Sequence, residues 1–105
     1  MATEVTDVPE RERFEITVDG ELAGFTQYAR RPGLIAYVHT EIDPAFGGRG
    51  LGSELIAAAV AAARSEELEV LPFCQFVRGW FEKHSEELDL VPADRRKQFG
   101  LPADA

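Results

Sequence analysis

Four glycines fall within the six residues Gly47-Gly48-Arg49-Gly50-Leu51-Gly52, between a stretch patterned as a strand and one patterned as a helix. The first turn of a helix carries backbone N–H groups with no intrahelical partner, so a glycine-rich entry to it makes a site for an anion. Glycine lets the main chain approach a phosphate closely, the helix dipole places partial positive charge there, and Arg49 adds a full one. A P-loop for nucleoside triphosphates needs Lys-Ser or Lys-Thr after its last glycine, whereas Gly52 is followed by Ser53-Glu54. A dinucleotide fingerprint needs Gly-x-Gly-x-x-Gly after a first strand, and the spacing here is Gly-x-Gly-x-Gly after a third. The plainer alternative is a turn that only launches the helix, which rarely uses four glycines in six positions.

Three further residues carry reactive groups. His39 and Glu41 lie two apart in a strand-like stretch, which puts both side chains on one face. Cys74 follows Pro72 at the start of a second helical pattern, where the helix dipole favours a thiolate. The competing reading of Cys74 is a small buried hydrophobe beside Phe73 and Phe76. As the single cysteine it excludes an internal disulfide, and with only two histidines the chain shows no metal-ligand spacing.

The elements that must position these residues are legible in the hydrophobic pattern. A chain of 105 residues forms one small domain, with any ligand in a surface groove. Residues 1–12 are polar and aperiodic and read as a flexible arm. Phe14, Ile16 and Val18 alternate with polar neighbours, Asp19-Gly20 marks a hairpin turn, and residues 22–28 supply the returning strand before Pro32-Gly33 turns the chain again. From Leu34 to Ile42 both faces carry bulky residues, which predicts a central strand. Parity places Leu34, Ala36, Val38, Thr40 and Ile42 on one face, and Ile35, Tyr37, His39 and Glu41 on the other. Leu51, Leu55, Ala59 and Ala63 predict a helix over residues 50–67, and the run 68–73 then reads as a parallel strand after a crossover. Phe73, Phe76, Val77, Trp80 and Phe81 predict a second helix over 73–88 with its aromatic face in the core, His84 serving it as a packing or capping residue. Residues 92–105 form a tail that only Phe99 and Leu101 could anchor.

Charge and hydropathy narrow the partners. With 19 Asp+Glu against 11 Lys+Arg the net charge is −8, and only Arg95-Arg96-Lys97 is locally basic, which argues against nucleic-acid binding. An acidic surface steers cations, which hints at amines. The longest apolar run, from Leu55 to Ala63, is far short of the ~20 residues that cross a bilayer. No membrane association and no secretory leader are expected, so the expected location is cytoplasmic.

Taken together, residues 14–91 resemble the compact single-domain branch of the GNAT superfamily of acetyl-CoA-dependent N-acetyltransferases. The resemblance rests on His39-Thr40-Glu41, Gly48-Arg49-Gly50-Leu51-Gly52, Pro72-Phe73-Cys74 and His84. Gly47 departs from it, standing where the superfamily signature carries Gln or Arg, as do Ser85 and Glu87, where the branch reads Pro and an aromatic. The resemblance implies an α/β fold: a mixed sheet, an antiparallel meander followed by a parallel strand, with two main helices, over residues 13–91. It implies acetyl-CoA as cosubstrate and no metal. Ile42, Gly47, Gly48, Arg49, Gly50, Leu51, Gly52 and Ser53 would then contact the cofactor, with the pyrophosphate on the glycine-rich backbone and pantetheine along the strand that ends near Ile42.

Under that resemblance the reactive residues acquire roles. Acyl transfer needs a neutral amine, so a base must take an ammonium proton, and His39 and Glu41 are its candidates. Cys74 could accept acetyl in a two-step route, direct transfer being the simpler one. Many larger relatives use a helix tyrosine as the acid, but Trp80 and Phe81 occupy this helix. The expected activity is transfer of acetyl to a primary amine, on a small molecule or a protein lysine or N-terminus. A module that binds CoA or acyl-CoA without turnover, and an interaction domain with an empty groove, are the rivals.

Overall fold

A computed structural model describes residues 2–102. Five strands form one sheet in the order β1-β2-β3-β4-β5: β1 (Thr3–Val8), β2 (Arg13–Val18), β3 (Glu21–Arg31), β4 (Leu34–Ile42) and β5 (Glu69–Pro72). The first three pairings are antiparallel and the last is parallel. Helix α1 (Leu51–Ser65) makes the crossover between β4 and β5, and α2 (Gln75–Lys83) follows β5. The meander therefore has four strands, and the α/β architecture is the one the pattern and the resemblance predict.

Local chemistry explains most of these elements. Asp19 and Gly20 both adopt positive φ, the conformation a two-residue hairpin turn requires. In α1 the buried stripe Leu51, Leu55, Ile56, Ala59, Val60 and Ala63 lies against the sheet, where Phe14, Ile16, Tyr37 and Val70 are buried in the same core. The Tyr37 hydroxyl donates to the Ala59 carbonyl at 2.7 Å, pinning the middle of β4 to the helix. No helix among the described residues is long and apolar enough to cross a membrane.

Three expectations need correction. The segment expected as a flexible arm contributes β1, an edge strand. Its alternation is weak because Val5 is the residue it packs against the core, and polar contacts do the rest. Asp7 accepts from the Tyr28 hydroxyl and from Arg30, while Ala2 and Asp19 bond each other in both directions. Helix α2 is shorter than the periodicity suggests, spanning Gln75–Lys83 in place of 73–88. At its end His84 leaves helical geometry, bonds the Trp80 carbonyl through Nδ1 at 2.8 Å and stacks on the Trp80 ring, after which Ser85–Leu90 winds as a 3₁₀ segment. Finally, the aromatic face is not all core: Phe73 and Phe76 are about half exposed, whereas Val77, Trp80 and Phe81 are buried.

The tail is held as the pattern allows. Phe99 and Leu101 are buried, and the Phe99 ring meets Phe73 edge-on at 5.2 Å. Arg96 reinforces the closure, its Nε donating to the Val91 carbonyl while its own carbonyl accepts from Leu101.

Candidate functional site

The site begins with a change in β4. Opposite the step from Gln27 to Tyr28 in β3, β4 passes from His39 to Tyr37, so Val38 is an extra, bulged residue. The bulge shifts the side-chain parity. Tyr37 shares the α1 face with Thr40 and Ile42, paired through Tyr28, Thr26 and Gly24, whereas His39 and Glu41 share the opposite face with Gln27 and Phe25. The single alternation expected for the whole strand therefore holds only within each half.

At the same point the parallel pairing ends. β4 and β5 stay in register from Leu34↔Glu69 to Tyr37↔Pro72, and the Cys74 amide then donates to the Tyr37 carbonyl at 3.0 Å. Beyond it, residues 39–42 of β4 pair with β3 alone, and the bulged Val38 is in register with neither neighbour. The edge of β4 that faced β5 is thus open for five residues, and an open edge presents main-chain donors and acceptors to whatever enters the seam.

The glycine-rich loop lies at the far end of this edge. Asp43 caps the Pro44–Phe46 3₁₀ turn by accepting from the Ala45 amide, and the Gly47 amide closes that turn on the Pro44 carbonyl. Gly48 and Gly50 then take positive φ, +79° and +72°, with nothing within 4 Å of where a Cβ would stand. Gly50 is the N-cap of α1 and supplies no side-chain acceptor, so the first-turn amides are left without a cap. Ile42, Phe46, the loop, Ser53 and Phe76 line an open hollow of 350 Å³ around that helix end. Backbone N–H groups, a helix N-terminus and the adjacent Arg49, whose guanidinium sits 5.4 Å from the Phe46 ring centre, are the donor set an anionic phosphate takes.

The structure brings His39 and Glu41 together: His39 Nε2 lies 2.8 Å from Glu41 Oε2, on an exposed surface beside Phe25. Cys74 is held on the other side of β4. It is the N-cap residue of α2, and its S–H donates to Thr40 Oγ1 at 3.4 Å, while Thr40 and the fully buried Thr26 share a 2.9 Å hydrogen bond. Cys74 is partly buried, so the packing and the reactive readings describe the same position. The three reactive residues flank the seam, the dyad on one face and the thiol on the other.

Some residues of this arrangement were not singled out from sequence. Thr26 and Thr40 are paired only by the β3–β4 register, and Thr40 carried a signal solely as the middle of His39-Thr40-Glu41. The helical period assigns Phe76 to the core, and its half-exposed ring is instead a wall of the hollow. Among the described residues no group of three or more His, Cys, Asp or Glu side chains could hold a metal ion.

Residues 13–90 match the protein family described as GCN5-related N-acetyl-transferase. No curated protein sequence matches the chain. Among solved structures, a GCN5-like protein from Staphylococcus aureus superposes with a TM-score of 0.65 at 24% identity, over 85% of this chain and 87% of that one. A ribosomal-protein-alanine N-acetyltransferase from Brucella melitensis biovar Abortus 2308 aligns with a TM-score of 0.49 at 19% identity, over 82% of this chain and 67% of that one.

Proposed function

The chain belongs to the GCN5-related N-acetyltransferase family, and from that premise we propose that it moves an acetyl group from acetyl-CoA to a primary amine, on a small molecule or on a protein lysine or N-terminus. The observation that carries the proposal is the conjunction of an open β4 edge with an uncapped, glycine-entered helix at its end. A strand edge suits an extended, amide-bearing pantetheine arm, and the helix entry suits a pyrophosphate.

Acetyl-CoA, when bound, supplies an acetyl group already activated as a thioester. The residues of the chain do the rest. The backbone of Gly48, Gly50, Leu51, Gly52 and Ser53, with Arg49, holds the pyrophosphate. The Gly47 amide is committed to the Pro44 carbonyl, so Gly47 shapes the loop more than it binds. Residues 38–42 align the arm along the open edge, with Ile42 at the join between edge and loop.

His39 and Glu41 move the proton. With Nε2–H donated to Glu41, the imidazole presents Nδ1 as the acceptor for the ammonium proton, and the carboxylate stabilises the charged ring that results. The amine nitrogen then forms its bond to the acetyl carbon as the carbon–sulfur bond breaks. Cys74, oriented by Thr40, gives its thiol proton to the sulfur that leaves and recovers, through water, the second proton that the nitrogen sheds as the amide forms. This is direct transfer, with no acetyl group resident on the protein.

The experiment is incubation with acetyl-labelled acetyl-CoA and a panel of a diamine, a lysine-bearing peptide and a free-N-terminus peptide. Label in at least one amine is the expected result. CoA binding without label in any amine would leave the non-catalytic module in its place.

A further inference from the structure

The sheet face that carries His39 and Glu41 is interrupted by a second bulge. In β3 the register with β2 slips between Ile16↔Gly24 and Thr17↔Leu22, so Ala23 is an extra residue, the counterpart of Val38 in β4. Pairing then fixes which side chains share a face. Phe25 stands opposite both Glu15 and Glu41, and Leu22 stands opposite Thr17, which places all of them on the His39 face. Without the bulge Leu22 and Phe25, three positions apart, would point to opposite faces. With it they stand on one face, separated by more than the ordinary two-residue spacing.

The gap is a hollow of 260 Å³ with apolar walls from Leu22, Phe25, Ile42 and Pro44 and two carboxylates, Glu41 and Asp43. Each carboxylate spends one oxygen inside the protein, Glu41 Oε2 on His39 at 2.8 Å and Asp43 Oδ1 on the Ala45 amide at 2.9 Å, which leaves Oε1 and Oδ2 for a ligand. Among the described residues no lysine or arginine lines this hollow. Arg13 lies outside it, its guanidinium 4.3 Å from the Phe25 ring centre, and its charge is answered by Glu15, to which Nε donates at 2.7 Å. Glu41 belongs to the hollow and to the His39 dyad, so the two are continuous. At about 3.3 Å per residue, His39 and Asp43 stand about 13 Å apart along the chain.

We propose that this hollow selects the acceptor: a primary amine whose far end carries a second cationic group, the two joined by an apolar spacer of about 10 Å. The inference rests on the acetyl-transfer reading above and names the class of acceptor. The reacting amine stands at His39, the spacer lies between Leu22 and Phe25, and the second ammonium donates to Glu41 Oε1 and Asp43 Oδ2. A charge-assisted hydrogen bond to a carboxylate is roughly twice as strong as a neutral one, and the apolar walls take the spacer out of water. A plain alkylamine would leave a methyl group against the two carboxylates, and an anionic acceptor would meet like charge in a chain of net charge −8. Leu22 and Asp43 are then specificity-determining residues that take no part in the chemistry.

The test is label transfer from acetyl-CoA by the full chain to three amines and a lysine-bearing peptide. The amines are 1,8-diaminooctane, whose nitrogens stand about 11 Å apart when extended, 1,4-diaminobutane, too short to reach Asp43, and octylamine, which lacks the second charge. The longer diamine should have a kcat/KM about tenfold above either of the others, a gap that narrows as salt is raised. Asp43→Asn, which keeps an acceptor for the Ala45 amide, should raise KM for 1,8-diaminooctane about fivefold and leave its kcat, and KM for octylamine and acetyl-CoA, unchanged. Leu22→Lys, at a position 43% exposed, should raise KM for the long diamine about tenfold without lowering Tm. Equal kcat/KM for 1,8-diaminooctane and octylamine, a KM for the diamine that neither substitution moves, or a rise shared equally by octylamine would overturn the assignment. Label in the peptide with none in the diamine removes this assignment alone, whereas label in no acceptor removes the acetyl-transfer reading itself.

Discussion

Residues 34–37 of β4 are paired on both edges and bury Ile35 and Tyr37 completely, whereas residues 39–42 are paired on one edge and the bulged Val38 between the two halves is 44% exposed. The bulge at Val38 divides them. The first half is held by neighbours on every side and belongs to the core. The second half has given up one neighbour and gained an open edge, with a titratable pair on one face and a thiol on the other. A single strand thus carries a segment enclosed on both edges and a segment to which the proposed function assigns the chemistry, and damage to each should show in a different measurement.

The largest expected effect lies in the first half. Tyr37→Ala removes a fully buried ring and its bond to Ala59 and should cost about 3–5 kcal/mol, a fall of tens of degrees in Tm measured by calorimetry. Tyr37→Phe, which deletes the hydroxyl alone, should cost about 1 kcal/mol. In the second half the pattern reverses. His39→Ala and Glu41→Gln alter side chains that are 54% and 62% exposed, so Tm should hardly move, while steady-state kinetics should show kcat falling by about 10²–10⁴ as the basic group is lost. A large loss of Tm in either variant would erase the division.

Cys74→Ala sits at the boundary and has a smaller expected effect. Water can replace its proton, so kcat should fall by no more than about tenfold, and mass spectrometry of the wild type with acetyl-CoA should find no acetylated cysteine. A trapped acetyl-Cys74 with abolished turnover in the variant would replace direct transfer by a two-step route.

The smallest effect belongs far from the strand, where Arg64 at the end of α1 bonds Asp89 and Glu87 in the 3₁₀ segment. Hydrogen bonds from the Arg64 guanidinium hold the Asp89 carboxyl below its usual range. A carboxyl whose folded pKa is depressed stabilises above its unfolded pKa and loses that contribution as pH falls through the folded one. Asp89→Asn should therefore lower Tm by roughly 2 °C or less at neutral pH, the pair being exposed to solvent. The two melting curves should converge below the carboxylate range.

What the sequence made legible follows the same division. Strands β2 to β4, the crossover helix and β5 announce themselves through alternation, the Asp19-Gly20 turn and the stripe from Leu51 to Ala63, because burial on one face imposes a period. The glycine-rich loop was legible for a similar local reason. The Val38 bulge was not, since an inserted residue leaves the composition strand-like and shows only in the register with β3. Edge strand β1 is held by Asp7, Tyr28 and Arg30, contacts between residues distant in sequence. Phe76 carries a core residue's period yet faces a hollow, because Gly52, 24 positions away in the chain, gives its ring a seat.

The most direct test of the central claim, that the open half of β4 and the glycine-entered helix together hold acetyl-CoA, is the melting temperature of the full chain against increasing CoA and acetyl-CoA, with ATP and NAD as controls. Binding confined to the folded state stabilises it by about 2.7 kcal/mol at a hundredfold excess over Kd. The account predicts a saturable rise with CoA and acetyl-CoA and none with the controls. An unchanged Tm at millimolar CoA would contradict it.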